Sequence, residues 1–358
     1  MSLLEAFKSM FEYKQPEIKD NTFIVWEPCT KNHSEVVLGY VKYLLDLGYH
    51  VSVCITPDRY EEGLFSRFEL DNQNLSLNDL TQKEIKKFFH KNNLEKVKGV
   101  LVTTSGKLYD RVHYEQCYKY FNKNVDKTKL YFVEHDVQKA VDANLWNEKF
   151  ITLRQMNYKG VKSVVINPHY FGNVEITSKN KITNFVTIGE IKKRIKNADL
   201  FIQSAEELVK RGITNFKITV IGKGHLSDIP ENVRHFFDIK GRLDFENMYK
   251  EIENSDFLIT SYDIPDHIRY NTTGTSGNFQ LVYGFLKPVI IKEDFAEING
   301  FTDENSILYK EDGDFVEAMI TGINMSDTEY AKKQEKLKDY SQNLYRTSLK
   351  NLKELING

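Results

Sequence analysis

Short apolar runs alternate along most of the chain with longer segments whose apolar residues recur at helical spacing. Runs of this length are typical of buried strands, and the longer segments are typical of amphipathic helices. Gly48 directly follows the first helical segment and is the residue type that commonly ends a helix. In the first half the pattern predicts strands at 22–26, 50–55, 99–102, 130–133 and 164–166, and helices at 34–47 and 80–90.

The same alternation begins again after a polar, glycine-containing segment at residues 168–183, where we place an interdomain linker. Strand–helix alternation builds parallel sheets with right-handed crossovers, so two such halves predict two Rossmann-like α/β domains. Ligands of these domains bind at the carboxyl ends of the strands, which predicts a site in the cleft between the domains. The second half is predicted to have strands at 186–188, 217–221, 233–237, 257–260 and 289–291, and helices at 198–211, 246–254, 279–285 and 327–357.

Composition and charge narrow the class of protein. A chain of 358 residues with 41% apolar content favours two packed domains over one. The net charge of −2 argues against a nucleic-acid binder, which needs a basic surface. Cys29, Cys54 and Cys117 are scattered, which favours reduced thiols in a cytosolic protein. Because the first residues are amphipathic and no apolar run reaches the length of a bilayer, we expect neither a signal peptide nor a membrane span.

A turn of small residues, Thr-Thr-Gly-Thr-Ser-Gly at 272–277, precedes the helical segment at 279–285. A small-residue turn that opens a helix presents free backbone N–H groups and the positive end of the helix dipole, and both suit a phosphate. Thr275, Ser276 and Gly277 are therefore candidate anion ligands. The alternative is a flexible loop that only caps the helix.

Several motifs of the second half occur in a particular order: FVTIG at 185–189 with RIKN at 194–197, ITVIGKG at 218–224, IKGRL at 239–243, GFLKPVI at 284–290 and EINGF at 297–301. This order resembles the donor-binding half of GT-B glycosyltransferases, especially the family-four-like group that uses nucleotide sugars. The resemblance covers residues 184–345 well and the first half in outline.

The resemblance implies two facing Rossmann-like domains, at 1–175 and 184–340, and a C-terminal helix at 341–358 that crosses back to the first domain. Residue spacing alone equally allows a helix packed only on the second domain. The implied activity is metal-independent transfer of a hexose from a UDP- or GDP-linked donor to a glycan or lipid-linked acceptor, without a cofactor. The resemblance also implies a role in surface polysaccharide biosynthesis and a cytoplasmic location, with peripheral attachment at the inner face of the cell membrane as an open alternative.

Donor contacts follow residue by residue from the same resemblance. Lys196 matches the family's phosphate-binding cation and would stabilise the leaving diphosphate; the alternative is a solvated surface lysine. Two departures stand out: Glu190 replaces a usual arginine, and Gln280 replaces the acid that normally holds the ribose. The expected donor-binding residues are Gly189, Arg194, Lys196, Gly222, Gly224, Arg242, Thr275, Ser276, Gly277 and Gln280.

In the first half, His135 and Asp136 directly follow a predicted strand. His135 is a candidate ligand of the sugar or acceptor and Asp136 a candidate base, and the alternative is an ion-paired strand end. Thr103 and Ser105 follow another strand and His33 follows the first, so these three are candidate acceptor-binding residues. Asp263 or Asp266 is a candidate replacement for the family's missing first acid.

Two other functions stay open at this point: a GT-B sugar-nucleotide epimerase, and a catalytically silent homologue that serves as a binding subunit. Peripheral membrane contact is open as well, because residues 4–11 and 83–98 combine lysines with aromatic residues. The alternative for these segments is that the aromatic side chains face the core.

Overall fold

The computed structural model describes residues 15–28, 33–91, 94–105, 127–189, 198–223, 229–264 and 266–358. Within these residues the chain forms two fully parallel sheets, one of seven strands and one of six. The expected α/β architecture with two Rossmann-like domains is therefore confirmed.

The first sheet has the strand order β3-β2-β1-β4-β5-β6-β7. Its strands are β1 Thr22–Trp26, β2 His50–Ile55, β3 Leu75–Asp79, β4 Val97–Val102, β5 Leu130–Glu134, β6 Phe150–Thr152 and β7 Val164–Val165. Its described helices are α1 Val37–Asp46, α2 Pro57–Glu61, α3 Gln82–Lys91 and α4 Val137–Asp142, with 3-10 turns at Ser34–Val36 and Lys127–Lys129. The strand order reverses beside β1, because β2 and β3 lie on one side of it and β4 to β7 on the other. A crevice therefore opens at the carboxyl ends of β1 and β4.

The second sheet has the order β10-β9-β8-β11-β12-β13 and the same kind of switch point, between β8 and β11. Its strands are β8 Thr183–Ile188, β9 Phe216–Ile221, β10 Phe237–Gly241, β11 Phe257–Ile259, β12 Val289–Lys292 and β13 Ile307–Tyr309. The helices are α5 Ala198–Lys210, α6 Glu231–Arg234, α7 Phe245–Glu253, α8 Gly277–Phe285, α9 Glu293–Ala296 and α10 Phe315–Asn324, with 3-10 turns at Ile268–Tyr270, Glu297–Asn299 and Asp312–Asp314.

The last helix, α11, runs unbroken from Asp327 to Asn357 and connects the two domains. Its start is fixed by a capping box in which Ser326 and Glu329 bind each other's backbone N–H. Further along, the Ser348 hydroxyl accepts the backbone N–H of Asn167 at 2.9 Å, and the Asn351 amide donates to the carbonyl oxygen of Val165 at 2.8 Å. The implied crossing back to the first domain is therefore confirmed.

The predicted strand at 233–237 is wrong. Glu231–Arg234 forms a short helix, and the strand begins only at Phe237. Pro230 precedes that helix with φ −57°, a backbone angle that is already suited to a helix start. The apolar residues Val233 and Phe236 therefore serve the core from a helical turn and not from a strand.

The aromatic residues of α3 face the core. Phe88 and Phe89 are each 2% exposed, and the Phe89 ring lies 5.9 Å from that of Trp26. They are consequently not available to a membrane surface, while residues 4–11 lie outside the described part of the chain. No helix among the described residues has the length and apolar character needed to cross a bilayer.

Candidate functional site

The carboxyl ends of the two sheets meet through a loop of the second domain. The backbone N–H of Thr275 donates to the carbonyl oxygen of His135 at 3.1 Å, and that of Val137 donates to Thr273 at 2.8 Å. Asp136 and Gly274 form an antiparallel bridge between these contacts. The loop that precedes α8 is thus held against the end of β5.

Arg154 binds the same loop through its backbone carbonyl oxygens. Its Nη2 group donates to the carbonyl oxygens of Tyr270 and Gly274, each at 2.6 Å, and its Nη1 group donates to Gln155. The residue is 7% exposed, and burial lowers the pKa of its guanidinium to about 10. A buried cation on carbonyl oxygens fixes the loop by charge-assisted hydrogen bonds.

The start of α8 is tied to the second sheet by side chains. The Ser276 hydroxyl is the helix N-cap, accepting from the backbone N–H of Asn278 at 3.3 Å, and it also shares a 2.6 Å hydrogen bond with the Tyr262 hydroxyl. The Asn278 amide donates to the carbonyl oxygen of Ile188 at the end of β8. These bonds place the first turn of α8 beside the switch point of the sheet.

The three candidate anion ligands of this loop have different environments. Since the N–H of Thr275 is bound to His135, it cannot also point at a phosphate. The backbone N–H groups of Ser276 and Gly277 donate no hydrogen bond within the described residues. A Cβ at Gly277 would lie 2.7 Å from Oε1 of Glu35, so a carboxylate of the first domain lies at this helix end.

Glycines lie at the carboxyl ends of β8, β9 and β10 in the second sheet. Gly222 has φ +149°, and a Cβ there would overlap the carbonyl oxygen of Gly189. Gly222 also donates its N–H to Gly241 at 2.8 Å. Close backbone packing is thus sufficient to require glycine at 222, whether or not a donor binds there. Arg194, Lys196 and Gly224 lie outside the described residues.

Arg242 lies at the end of β10 and contacts the first domain. Its Nη2 group forms a 2.6 Å ion pair with Oε1 of Glu62. The expected contact with the donor is untested, and in this conformation the guanidinium links the two domains instead.

Two buried carboxylates occupy the strand ends of the first sheet. Glu27 follows β1 and accepts hydrogen bonds from the hydroxyls of Thr103 and Thr104 at 2.8 and 2.7 Å. Glu134 ends β5 and accepts the hydroxyl of Ser105 at 3.0 Å. Thr103 and Ser105 are fully buried, so in this conformation they hold these carboxylates and do not line the open cleft.

His135 and His33 lie together at the mouth of the first-domain crevice, with ring centroids 4.6 Å apart. Burial, with His33 nearby, lowers the pKa of His135 to about 3, so its imidazole is neutral near pH 7. Its Nε2 lies 3.3 Å from the carbonyl oxygen of Thr103. A carbonyl can only accept, so the proton is on Nε2, and Nδ1 is left as an acceptor.

The neighbours of these histidines have structural roles as well. Asp136 is the N-cap of α4 and accepts the N–H of Gln138 at 3.2 Å. His33 has φ +69°, an unusual angle for a residue other than glycine, and makes no capping hydrogen bond with its side chain. Asp263 lies 2.9 Å from His267 Nδ1. Sequence patterns place all of these residues near the cleft but do not distinguish such roles.

Gln280 is the expected ribose ligand on α8. Its side chain is 1% exposed, and its Oε1 atom is buried without a hydrogen-bond partner among the described residues. An unpaired buried carbonyl oxygen is costly and uncommon in folded proteins.

Arg154, Glu35 and the buried Glu27 are site residues that the sequence pattern did not predict. Arg154 had one usable signal, since it directly follows the apolar stretch that becomes β6. Among the described residues, no group of three His, Cys, Asp or Glu side chains is arranged to hold a metal ion.

No protein-family model and no curated protein sequence matches the chain. Solved structures do match. HepE from Anabaena, solved in complex with UDP-glucose, has a TM-score of 0.58 at 12% identity, over 94% of this chain and all of its own. TarM from S. aureus, solved as a mutant with fondaparinux, alpha-GlcNAc-glycerol and UDP, has a TM-score of 0.42 at 15% identity.

The alignment with TarM covers 90% of this chain but only 58% of TarM. The pneumococcal O-GlcNAc transferase GtfA, in complex with UDP and GlcNAc, has a TM-score of 0.48 at 12% identity, over 77% of this chain and 60% of GtfA. The HepE likeness covers both chains almost completely, so the chain has the GT-B fold.

Proposed function

We propose that the protein is a glycosyltransferase that transfers a sugar from a nucleotide-diphosphate donor to a glycan or lipid-linked acceptor. The observation that carries the proposal is the likeness to HepE over the whole of both chains, because HepE was solved with UDP-glucose. The backbone N–H groups of Ser276 and Gly277, at the start of α8, have no partner among the described residues and support a phosphate at the switch point of the second sheet.

In the proposed reaction the bond between the anomeric carbon of the sugar and the donor phosphate breaks, and a bond forms from that carbon to an acceptor hydroxyl, which loses its proton. Negative charge develops on the leaving diphosphate. Backbone N–H groups and the dipole of α8 stabilise this charge without a proton transfer. Lys196 is proposed to add a cation, and no metal ion is needed in this scheme. The acceptor would enter from the first domain, where His33 and His135 lie together.

Incubation of the purified protein with UDP- and GDP-sugars, followed by identification of the products, tests the proposal. Release of the free nucleoside diphosphate with a transferred or hydrolysed sugar supports it. A changed sugar configuration on an intact nucleotide would indicate the epimerase alternative. Binding without any product would indicate a silent homologue.

Lys196→Ala should slow transfer roughly 10–1,000-fold, as expected for loss of one electrostatic donor. Lys336→Ala, an exposed lysine on α11, is the matched control and should transfer at the wild-type rate. Equal rates for all three proteins would exclude Lys196 from the site.

Assembly of surface polysaccharides at the cytoplasmic face of the membrane is the proposed setting, and acceptor screening with glycans and lipid-linked sugars tests it.

A further inference from the structure

Three polar groups at the domain interface have no hydrogen-bond partner within the described residues. The hydroxyl of Tyr249 and Oε1 of Gln280 are both buried and unpaired. The Glu35 carboxylate, whose side chain is 16% exposed, accepts no hydrogen bond within the described residues, and its Oε1 atom lies 4.0 Å from Nδ1 of His33. Buried polar groups are normally paired, so a missing partner is expected for this cluster.

The Glu35 carboxylate lies against the face of α8 that carries Gln280, and the Tyr249 ring packs near the same face. Residues 277, 280 and 284 lie on one face of that helix because they are three and four positions apart. A Cβ at Gly277 would lie 2.7 Å from Glu35 Oε1, and one at Gly284 would overlap the Phe171 ring. Gln280 therefore lies between a first-domain carboxylate and the interdomain linker, and the Tyr249 ring is 5.7 Å from Phe171.

The chemistry of the cluster defines its missing partner. An ionised carboxylate and an amide oxygen only accept hydrogen bonds, whereas a tyrosine hydroxyl can donate or accept. Acceptors in a partly buried site need a ligand that brings O–H or N–H groups. Two hydroxyl groups on neighbouring carbon atoms of a sugar each donate one hydrogen bond and can also accept hydrogen bonds.

We propose that Glu35 and Gln280 together bind a pair of hydroxyl groups on the sugar part of the donor. This inference rests on the proposed function and adds a binding residue from the first domain. The hydroxyl pair belongs either to the ribose or to the transferred sugar. Because Glu35 and Gln280 belong to different domains, a donor bound in this way bridges the cleft.

A different role for Glu35 gives the opposite result in a binding experiment. If its carboxylate only occupies the anion position at the start of α8, it repels the diphosphate. Removing its charge would then strengthen binding of every phosphate ligand. If instead Glu35 accepts sugar hydroxyls, removing its charge weakens only the ligands that carry these hydroxyls.

Calorimetry with four ligands separates these roles: UDP-glucose, UDP, 3′-deoxy-UDP and inorganic pyrophosphate. We expect Glu35→Gln to weaken UDP-glucose binding roughly tenfold, as when a charged acceptor becomes neutral, and to leave pyrophosphate binding equal or tighter. If Glu35→Gln weakens UDP binding as much as UDP-glucose binding and does not weaken binding of 3′-deoxy-UDP, the hydroxyls belong to the ribose. Weakening of UDP-glucose alone assigns them to the transferred sugar.

Glu35→Asp keeps the charge and should weaken binding less than Glu35→Gln, which separates a charge effect from misfolding. Glu335→Gln, an exposed glutamate on α11, is the matched control and should bind all ligands as the wild type does. Unchanged or tighter UDP-glucose binding by Glu35→Gln would overturn the inference while leaving the proposed function standing. No binding of any nucleotide by the wild type would overturn both.

Discussion

The backbone N–H of Thr275 donates a hydrogen bond to the carbonyl oxygen of His135, 3.1 Å away. The two residues belong to different domains, and each lies in a segment expected to touch substrate. The hydrogen bond fixes the position of the loop before α8 relative to the carboxyl end of β5. It also occupies one of the N–H groups that a phosphate would otherwise use, which leaves Ser276 and Gly277 as the candidate anion ligands of this turn.

Arg154→Met should loosen the loop that carries these residues. The variant removes charged hydrogen bonds to the carbonyl oxygens of Tyr270 and Gly274, each worth about 1.5–3 kcal/mol, so we expect a loss of roughly 3–6 kcal/mol in the free energy of unfolding. Urea unfolding measures this loss. Arg211→Met is the control, because Arg211 forms exposed ion pairs that contribute about 0–1 kcal/mol. Equal stability of the two variants would contradict the prediction.

Arg154 also shows why parts of the site were not predictable from the sequence. Its partner Gly274 is 120 positions away, and no local pattern links residues at that distance. Glu35 likewise meets Gly277 only through the packing of the two domains. By contrast, the small-residue turn before α8 was predictable, because a helix start depends on neighbouring residues.

The strands show the same division between local and distant causes. β1 and β2 have the predicted bounds, since each is a short, mostly apolar run that is buried along its whole length. β3 was missed because Leu75–Asp79 alternates only two leucines with polar residues, and it becomes a strand by pairing with β2. Register against a neighbour is not visible in a single sequence.

Gly277→Ala tests the contact between Glu35 and the start of α8. The added Cβ would lie 2.7 Å from Glu35 Oε1, so the carboxylate must move, and we expect nucleotide affinity to fall severalfold. Gly313→Ala is the control, since a Cβ there has no neighbour within 4 Å. In a Glu35→Ala background the Gly277→Ala change should have little further effect, and an undiminished effect would show that Glu35 is not involved.

His169 should make stability depend on acid pH. Burial lowers the pKa of its imidazole to about 4, while hydrogen bonds to Asn167 and Ser341 oppose that shift. The unfolded state binds more protons between pH 6.5 and 4, so stability is complete above pH 6.5 and falls by about 1.4 kcal/mol per pH unit within that window. Urea unfolding at pH 7 and 5 measures the slope.

His169→Gln should show a shallower loss of stability between pH 7 and 5 than the wild type. His235→Gln, at an exposed position, is the control and should keep the wild-type slope. Some slope should remain in His169→Gln, because burial also lowers the pKa of His135, to about 3, but a slope as steep as that of the wild type would assign the acid sensitivity to other groups.

Lys287 should make stability depend on alkaline pH. It is 3% exposed and donates to the Thr177 hydroxyl at 3.2 Å, and burial lowers its pKa to about 8. Between pH 8 and about 10.4 the unfolded state binds more protons, so stability should rise with pH in that window. Lys287→Met should make the rise smaller, while Lys350→Met, an exposed lysine of α11, should keep it. A rise in Lys287→Met as large as that of the wild type would contradict the assignment.

Gln280→Leu should change stability and binding in opposite directions. Within the part of the chain that the structure describes, Oε1 of Gln280 is buried without a hydrogen-bond partner, so an apolar side chain of similar size should stabilise the ligand-free fold by about 1 kcal/mol. With nucleotide, the same change removes a partner of a sugar hydroxyl, and the binding free energy should weaken by roughly 0.5–1.5 kcal/mol.

Gln280→Glu should keep or tighten nucleotide binding, because a charged acceptor makes a stronger hydrogen bond, but it should destabilise the free protein. Thermal unfolding with and without UDP measures both effects. If Gln280→Leu binds UDP as tightly as the wild type, Gln280 does not hold the ribose, and the silent-homologue alternative becomes the stronger one.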